Sequence, residues 1–369
     1  MTHTLPPWAD RLLLPLVCLG VALLAAAVVV ACVGQSPGRV LAALVQGAFG
    51  SARGLSYTLY YATSFIFTGL AVAVAFHGGL FNIGGEGQAT LGGLGVALVA
   101  LNGAPLLPAW AVLPLMLLAG ACFGMAWAAM PAYLQAYRGS HVVITTIMFN
   151  FLASTLLVYV LVHHLRPPGN MAIESLPFAP CALLPSAQAV LATFGVAWPS
   201  SPLNLSAILA LLACVAVYVF LWHTTAGYRL RAVGASPGAA AYAGIRPQGQ
   251  VMLAMAVSGA LAGLVGMNEV AGVSGKLVLE FVGGAGFTGI AVALMGRNHP
   301  LGIVCASVLF GALFQGGAEV AFEVPGFSRD MVVMLQGFVV LFSGALTYAI
   351  APPLAWVLHA CGLGGARHG

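Results

Sequence analysis

The chain of 369 residues carries twelve Lys and Arg and eight Asp and Glu, so only 5% of it is charged, while 61% is hydrophobic. Mean hydropathy is +1.03, and soluble domains hold about 25% charged residues, so eight carboxylates cannot supply a water-facing skin and soluble globular and disordered classes are excluded. The net charge of +4 is spread without a basic run, which gives no nucleic-acid footprint.

The first apolar stretch, Leu12 to Val33, is long enough for a bilayer, which takes about 20 helical residues. Its end, Val29-Val30-Ala31-Cys32, resembles a lipoprotein cleavage box, but the stretch exceeds a signal-peptide core and is read as a retained helix. Charge-free intervals then mark further segments. Residues 87–137 hold no charge and are cut by Asn102-Gly103-Ala104-Pro105 and Pro108. Residues 175–228 open with Pro177, Pro180, Pro185, Pro199 and Pro202, so only 203–222 reads as a span and 164–202 as an external loop. The expected fold is all-α and polytopic, with ten segments near 12–33, 56–76, 87–101, 107–131, 142–163, 203–222, 249–268, 284–296, 300–318 and 331–351. The whole of 1–369 is read as one transmembrane domain with halves at 12–163 and 203–351.

Lys and Arg near span ends set orientation. With the N-terminus inside, Arg11, Arg138, Arg229, Arg231, Arg246, Arg297 and Arg367 are cytoplasmic, against Arg39, Arg53, Arg166, Lys276 and Arg329. Both termini are expected in the cytoplasm, with 223–248 as a cytoplasmic loop. The seven cysteines include no CxxC pair and read as small buried hydrophobes.

Segments 87–101 and 284–296, the third and eighth of ten, have fifteen and thirteen residues, below spanning length. Each follows a glycine-rich irregular stretch, Gly78 to Gln88 and Gly272 to Gly286. Short, glycine-broken segments in matching places of two halves point to a transporter site at mid-membrane. Glu86 sits inside the first such stretch, read as irregular, and an ionisable group at membrane depth needs a cavity or a partner. Either it binds a polar solute with Asn82 and Gln88, or it pins the break by accepting backbone N–H bonds. Asn150 faces the same cavity or bridges helices, and Asn268 and Glu269 carry the same alternative. Phe81, Phe149 and Phe287 either stack on a flat solute or only pack. Glu319, Glu323, Arg329 and Asp330 read as a charged interfacial loop. Gly259, Gly263 and Gly266 allow close helix approach. His163 and His164 lack metal spacing, and no metal site is expected. Lys276 follows Gly275 without the remainder of a phosphate loop, so no catalytic residues and no nucleotide motif are expected in this chain. So few fixed charges suit a neutral polar solute.

The stretch from His223 to Ile245 is polar, with a short helix expected after Pro237. Here Gly227, Arg231-Ala232-Val233-Gly234 and Ala240-Ala241-Tyr242-Ala243-Gly244-Ile245 resemble the coupling loop of permease subunits of bacterial ATP-binding-cassette importers, in the nucleoside and simple-sugar branch. Phe81 to Gln88 and Gly286 to Gly302 are similar to further blocks of the nucleoside branch, and the resemblance runs from about 56 to 350. It departs at Ser236, where relatives often carry Asn, and at Ala241, near which they carry a charge. The resemblance implies a permease importing nucleosides in the bacterial inner membrane. It also implies that Gly227, Arg229, Arg231, Ala232, Gly234, Tyr242 and Gly244 dock on an ATPase subunit that holds ATP and magnesium. A second permease, related or identical, and an external solute-binding lipoprotein complete the implied partners. Import of simple sugars or branched-chain amino acids, or ion-coupled secondary transport through Glu86 or Glu269, are the alternatives.

Overall fold

A computed structural model describes residues 14–32, 34–323 and 350–358, with isolated positions beside them. In chain order the helices are α1 (Leu14–Cys32), α2 (Pro37–Phe49), α3 (Ala52–His77), α4 (Gly85–Gly103), α5 (Ala109–Arg138), α6 (Val142–Val160), α7 (Ala187–Thr193), α8 (Ser206–His223), α9 (Thr225–Ala235), α10 (Pro237–Tyr242), α11 (Pro247–Gly263), α12 (Ala285–Met295) and α13 (Pro300–Glu323). π-Helical turns at Leu161–Leu165 and Met267–Ser274 prolong α6 and α11. Two isolated bridges, Glu174 with Val278 and Ser186 with Asn204, are the extended pairings found among the described residues.

Six described helices are long and apolar enough to cross a membrane: α3, α5, α6 and α11 with their π turns, α8 and α13; Gly20–Cys32 and α12 are shorter apolar helices. The fold is thus all-α and polytopic, as expected. The expected segment 331–351 falls almost wholly outside the described residues, as do Arg329 and Asp330. Three expectations are corrected. The third segment is not fifteen residues but the nineteen of α4, and Glu86 lies in its first regular turn. Residues 37–49 form a helix although Arg39 interrupts their apolar run. Glu319 and Glu323 belong to α13 and not to a loop. Of the cysteines, Cys18 and Cys214 are buried, but Cys32, Cys122 and Cys305 are exposed; on apolar helices such a small thiol sits comfortably toward lipid.

The chain divides into two compact units, residues 1–54 with 312–369, and residues 55–311. In the first, Val30, Val40, Ala43 and Val320 form a small buried cluster. The second holds the features below. Its centre is α3, whose apolar window is 78% buried, whereas those of α5, α6 and α8 are 22%, 28% and 28% buried and turn Ile144, Phe151, Leu212 and Val215 outward. Lipid tails are as apolar as leucine, so burial alone does not drive these helices together and close backbone approach must help. The contact of α5 with α11 shows how: a Cβ added at Gly259 or Gly263 would collide with the backbone of Gly124 or Gly120.

One end of this unit carries α9 and α10. Thr224 caps α9 by accepting from the Gly227 N–H at 3.0 Å, and Ser236 caps α10 by accepting from Ala239 at 3.3 Å, with Pro237 as its first residue. The other end carries residues 166–204. There Ser175 N–H donates to the Leu277 carbonyl at 2.9 Å and Phe178 N–H to that of Gly275 at 2.8 Å. The Lys276 ammonium bonds Glu174 at 2.8 Å and holds its carboxyl below the ordinary value.

Candidate functional site: the junction of two broken segments

Helix α3 ends at the α9–α10 end, where the His77 ring lies 5.4 Å from that of Trp222. Residues 78–84 leave that end without helical structure and start α4, whose far end meets the 166–204 region through Ala104 and Cys181. Residues 275–284 make the reverse journey. They leave the 166–204 end and start α12, beyond which His299 lies 5.3 Å from Trp222. The two helices therefore meet N-terminus to N-terminus, pointing to opposite ends of the unit.

The contact is made by glycine and one carboxylate. A Cβ at Gly286 would collide with the backbone of Glu86, so the close approach requires glycine there. Glu86 sends both oxygens across the junction, accepting from Gly284 N–H at 2.9 Å and Gly286 N–H at 2.8 Å. It thus caps α12, not its own helix. The positive ends of two helix dipoles converge on this carboxylate, which explains how an acid is held among apolar spans with no cation beside it among the described residues.

The N-terminus of α4 is satisfied by amides. Asn150, on α6, accepts from Gly87 N–H and donates to the Ile83 carbonyl, both at 2.9 Å. Asn82 accepts from Gly84 N–H at 2.8 Å and donates to Gln88 at 3.0 Å and to the Ser258 hydroxyl at 2.8 Å. The structure thus brings Asn82, Glu86, Gln88 and Asn150 to one junction, with Asn82, Gln88 and Asn150 buried and bonded to protein groups. Phe81 is half-buried on the stretch before α4, and Phe287 is exposed on the first turn of α12. Phe149 packs its ring 5.3 Å from that of Trp127.

On the 166–204 side of the junction lies a cavity of about 330 Å3. Glu86, Thr90, Ser154, Leu157, Glu280 and Val282 are among its walls. A second polar cluster joins α3 to the π turn after α11. Glu269 accepts from Ser64 at 2.7 Å and from the Tyr60 hydroxyl, and Asn268 accepts from Asn204 at 3.0 Å and Ser206 at 2.6 Å. Sequence reasoning singled out Asn268 and Glu269 but missed Tyr60, Ser64, Asn204, Ser206, Ser258 and Glu280. Tyr60 and Ser64 were findable, because they stand four apart on one face of an apolar helix.

At the α9–α10 end, Leu230, Val233 and Ala240 are buried while Tyr228, Arg229 and Tyr242 are exposed. Arg231 and Ala232 are half-buried, and Gly244 takes a positive φ on the exposed turn after α10. Gly227 is buried against Phe220 and Leu221, and Gly234 abuts the His77 carbonyl and Gly79. One face thus anchors the helix pair and the other is presented outward.

The description of one family, branched-chain amino acid transport system / permease component, matches residues 54–344. The chain is 37% identical to a glucose ABC transporter permease protein of Haloferax volcanii over 78% of its length and 75% of the relative's. It is 36% identical to a guanosine ABC transporter permease protein of Bacillus subtilis over 92% and 95% of the two chains. Against a nucleoside ABC transporter permease protein of Lactococcus lactis it is 35% identical over 87% and 85%. No solved structure matches it. With six apolar spans among its described residues, the chain is a multi-pass membrane protein that belongs to the family of branched-chain amino acid transport system permease components.

Proposed function

We propose that this chain is the transmembrane permease subunit of an ATP-driven importer of nucleosides, set in a bacterial inner membrane with both termini cytoplasmic. The observation that carries the substrate class is the likeness to the guanosine permease, which spans 92% of this chain. ATP and magnesium are held by a separate ATPase subunit, and this chain contributes no nucleotide chemistry. Exposed Tyr228, Arg229 and Tyr242 on the α9–α10 end, with Arg231, Ala232, Gly227, Gly234 and Gly244 shaping it, support that end as the ATPase docking face. A second permease and an external solute-binding lipoprotein complete the assembly.

Solute passes the junction of the two broken segments, with Phe81, Asn82, Glu86, Gln88, Asn150 and Phe287 belonging to its walls or their support. ATP on the partner biases the junction only if it binds two arrangements of the helices with different affinity. The deciding experiment is uptake of tritiated guanosine into proteoliposomes holding the permease with its ATPase, second permease and binding protein. ATP-dependent uptake that an uncoupler does not abolish is expected; uptake that needs an ion gradient and no ATPase overturns the reading. Sugar import is the second reading, favoured by the 37% identity to the glucose permease, and glucose uptake in the same vesicles tests it. Charge reversal at Arg229 and Arg231 should leave ATP hydrolysis without uptake.

A further inference from the structure

We propose that the cavity on the 166–204 side of the junction is a solute-receiving site for a neutral, flat molecule with hydrogen-bond donors along one edge, and that Glu280 and Ser154 set its specificity. The proposal rests on the import reading above.

The cavity's size, about 330 Å3, is at the small end of the range of about 300–1,000 Å3 typical of small-molecule sites. Its chemistry is divided. Leu157 and Val282 give apolar surface on which a ring can lie, and Thr90, Ser154, Glu86 and Glu280 give polar atoms. Most of those polar atoms accept hydrogen bonds. A carboxylate accepts only, and the Thr90 hydroxyl has its proton engaged by the Glu86 carbonyl at 2.8 Å, leaving its lone pairs. The solute must therefore bring the donors, as the ring N–H, amino and hydroxyl groups of a nucleoside do. Two carboxylates on one cavity also repel phosphorylated relatives of such a solute.

The groups are unevenly committed. Both oxygens of Glu86 already accept N–H bonds, whereas no protein hydrogen bond engages the Glu280 carboxylate or the Ser154 hydroxyl among the described residues. Glu280 is exposed and stands at φ 54°, a left-handed conformation that costs a non-glycine residue energy and that the turn to Gly283 N–H, at 3.0 Å, holds in place. The placement is also asymmetric. On the other side of the junction Asn82, Gln88 and Ser258 are buried and engage one another by hydrogen bonds, whereas on the 166–204 side the described residues leave open space.

The test is the KM for tritiated guanosine in proteoliposomes of the complete assembly. Glu280→Gln should raise KM roughly tenfold, the loss expected for a hydrogen bond to a charged group, in an assembly that still forms. Ser154→Val should raise it less. If Glu280→Gln does not assemble, Ser154→Val decides alone. Normal guanosine uptake with unchanged KM in the assembled variants overturns this site and leaves the import reading standing. No ATP-dependent uptake by the wild-type assembly overturns both, and uptake of glucose but not guanosine overturns the flat solute.

Discussion

The two broken segments run the same course in opposite directions, yet they are held by different means. Residues 78–84 and the start of α4 are mostly buried and are locked by the amides of Asn82, Gln88 and Asn150, with Ser258 beside them. Residues 275–284 bury Leu277 and Val282 but expose Glu280 and Gly283, carry three residues at positive φ between Glu280 and Gly284, and bond outward to the 166–204 region through Ser175, Phe178 and Glu174. Across the junction they join through two hydrogen bonds, both to Glu86. The first segment is built as a fixed wall. The second is built as a strap that runs from the outer region to the wall, with its hydrogen bonds to the wall gathered on one residue, Glu86.

This contrast can be broken at several points, with effects of decreasing size. Gly286→Leu should be worst, since its side chain has only the backbone of Glu86 to displace; a loss of at least about 3 kcal/mol should appear as no monodisperse protein in detergent. Asn150→Ala strikes the wall and strands Gly87 N–H and the Ile83 carbonyl, so thermal unfolding in detergent should show about 2 kcal/mol lost. Asn82→Ala should behave alike, because it orphans the Gln88 amide and the Gly84 N–H. Lys276→Met strikes only the strap's outer tie and should have the smallest effect. Because Lys276 holds the Glu174 carboxyl below its ordinary value, that tie stabilises at neutral pH and is lost as pH falls through the lowered value. Wild type and Lys276→Met should therefore converge in acid, and equal melting temperatures at neutral pH would show the tie to be idle.

Much of this was legible from the chain. Charge-free intervals located the described apolar spans, because lipid excludes charge whatever the packing. Glu86 stood out for the same reason. Its partners did not, because Gly284 and Gly286 are about two hundred residues away and offer only backbone N–H groups, which no residue type advertises. Helix α2 was missed because Arg39 breaks the charge-free rule without breaking a helix. Asn150 was open between cavity and bridge, and its bonds to residues 83 and 87 show a bridge. Glu280 was passed over because its backbone conformation is set by the turn and not by its side chain.

The hydrogen bonds of Glu86 give the most direct test. In proteoliposomes of the complete assembly, Glu86→Gln keeps the size of the side chain but replaces one accepting oxygen with an amino group facing an N–H donor. The assembly should form and hydrolyse ATP, while guanosine uptake falls at least about tenfold, as expected for losing one charge-assisted hydrogen bond. Undiminished uptake by an assembled Glu86→Gln transporter would contradict the role of this junction in import.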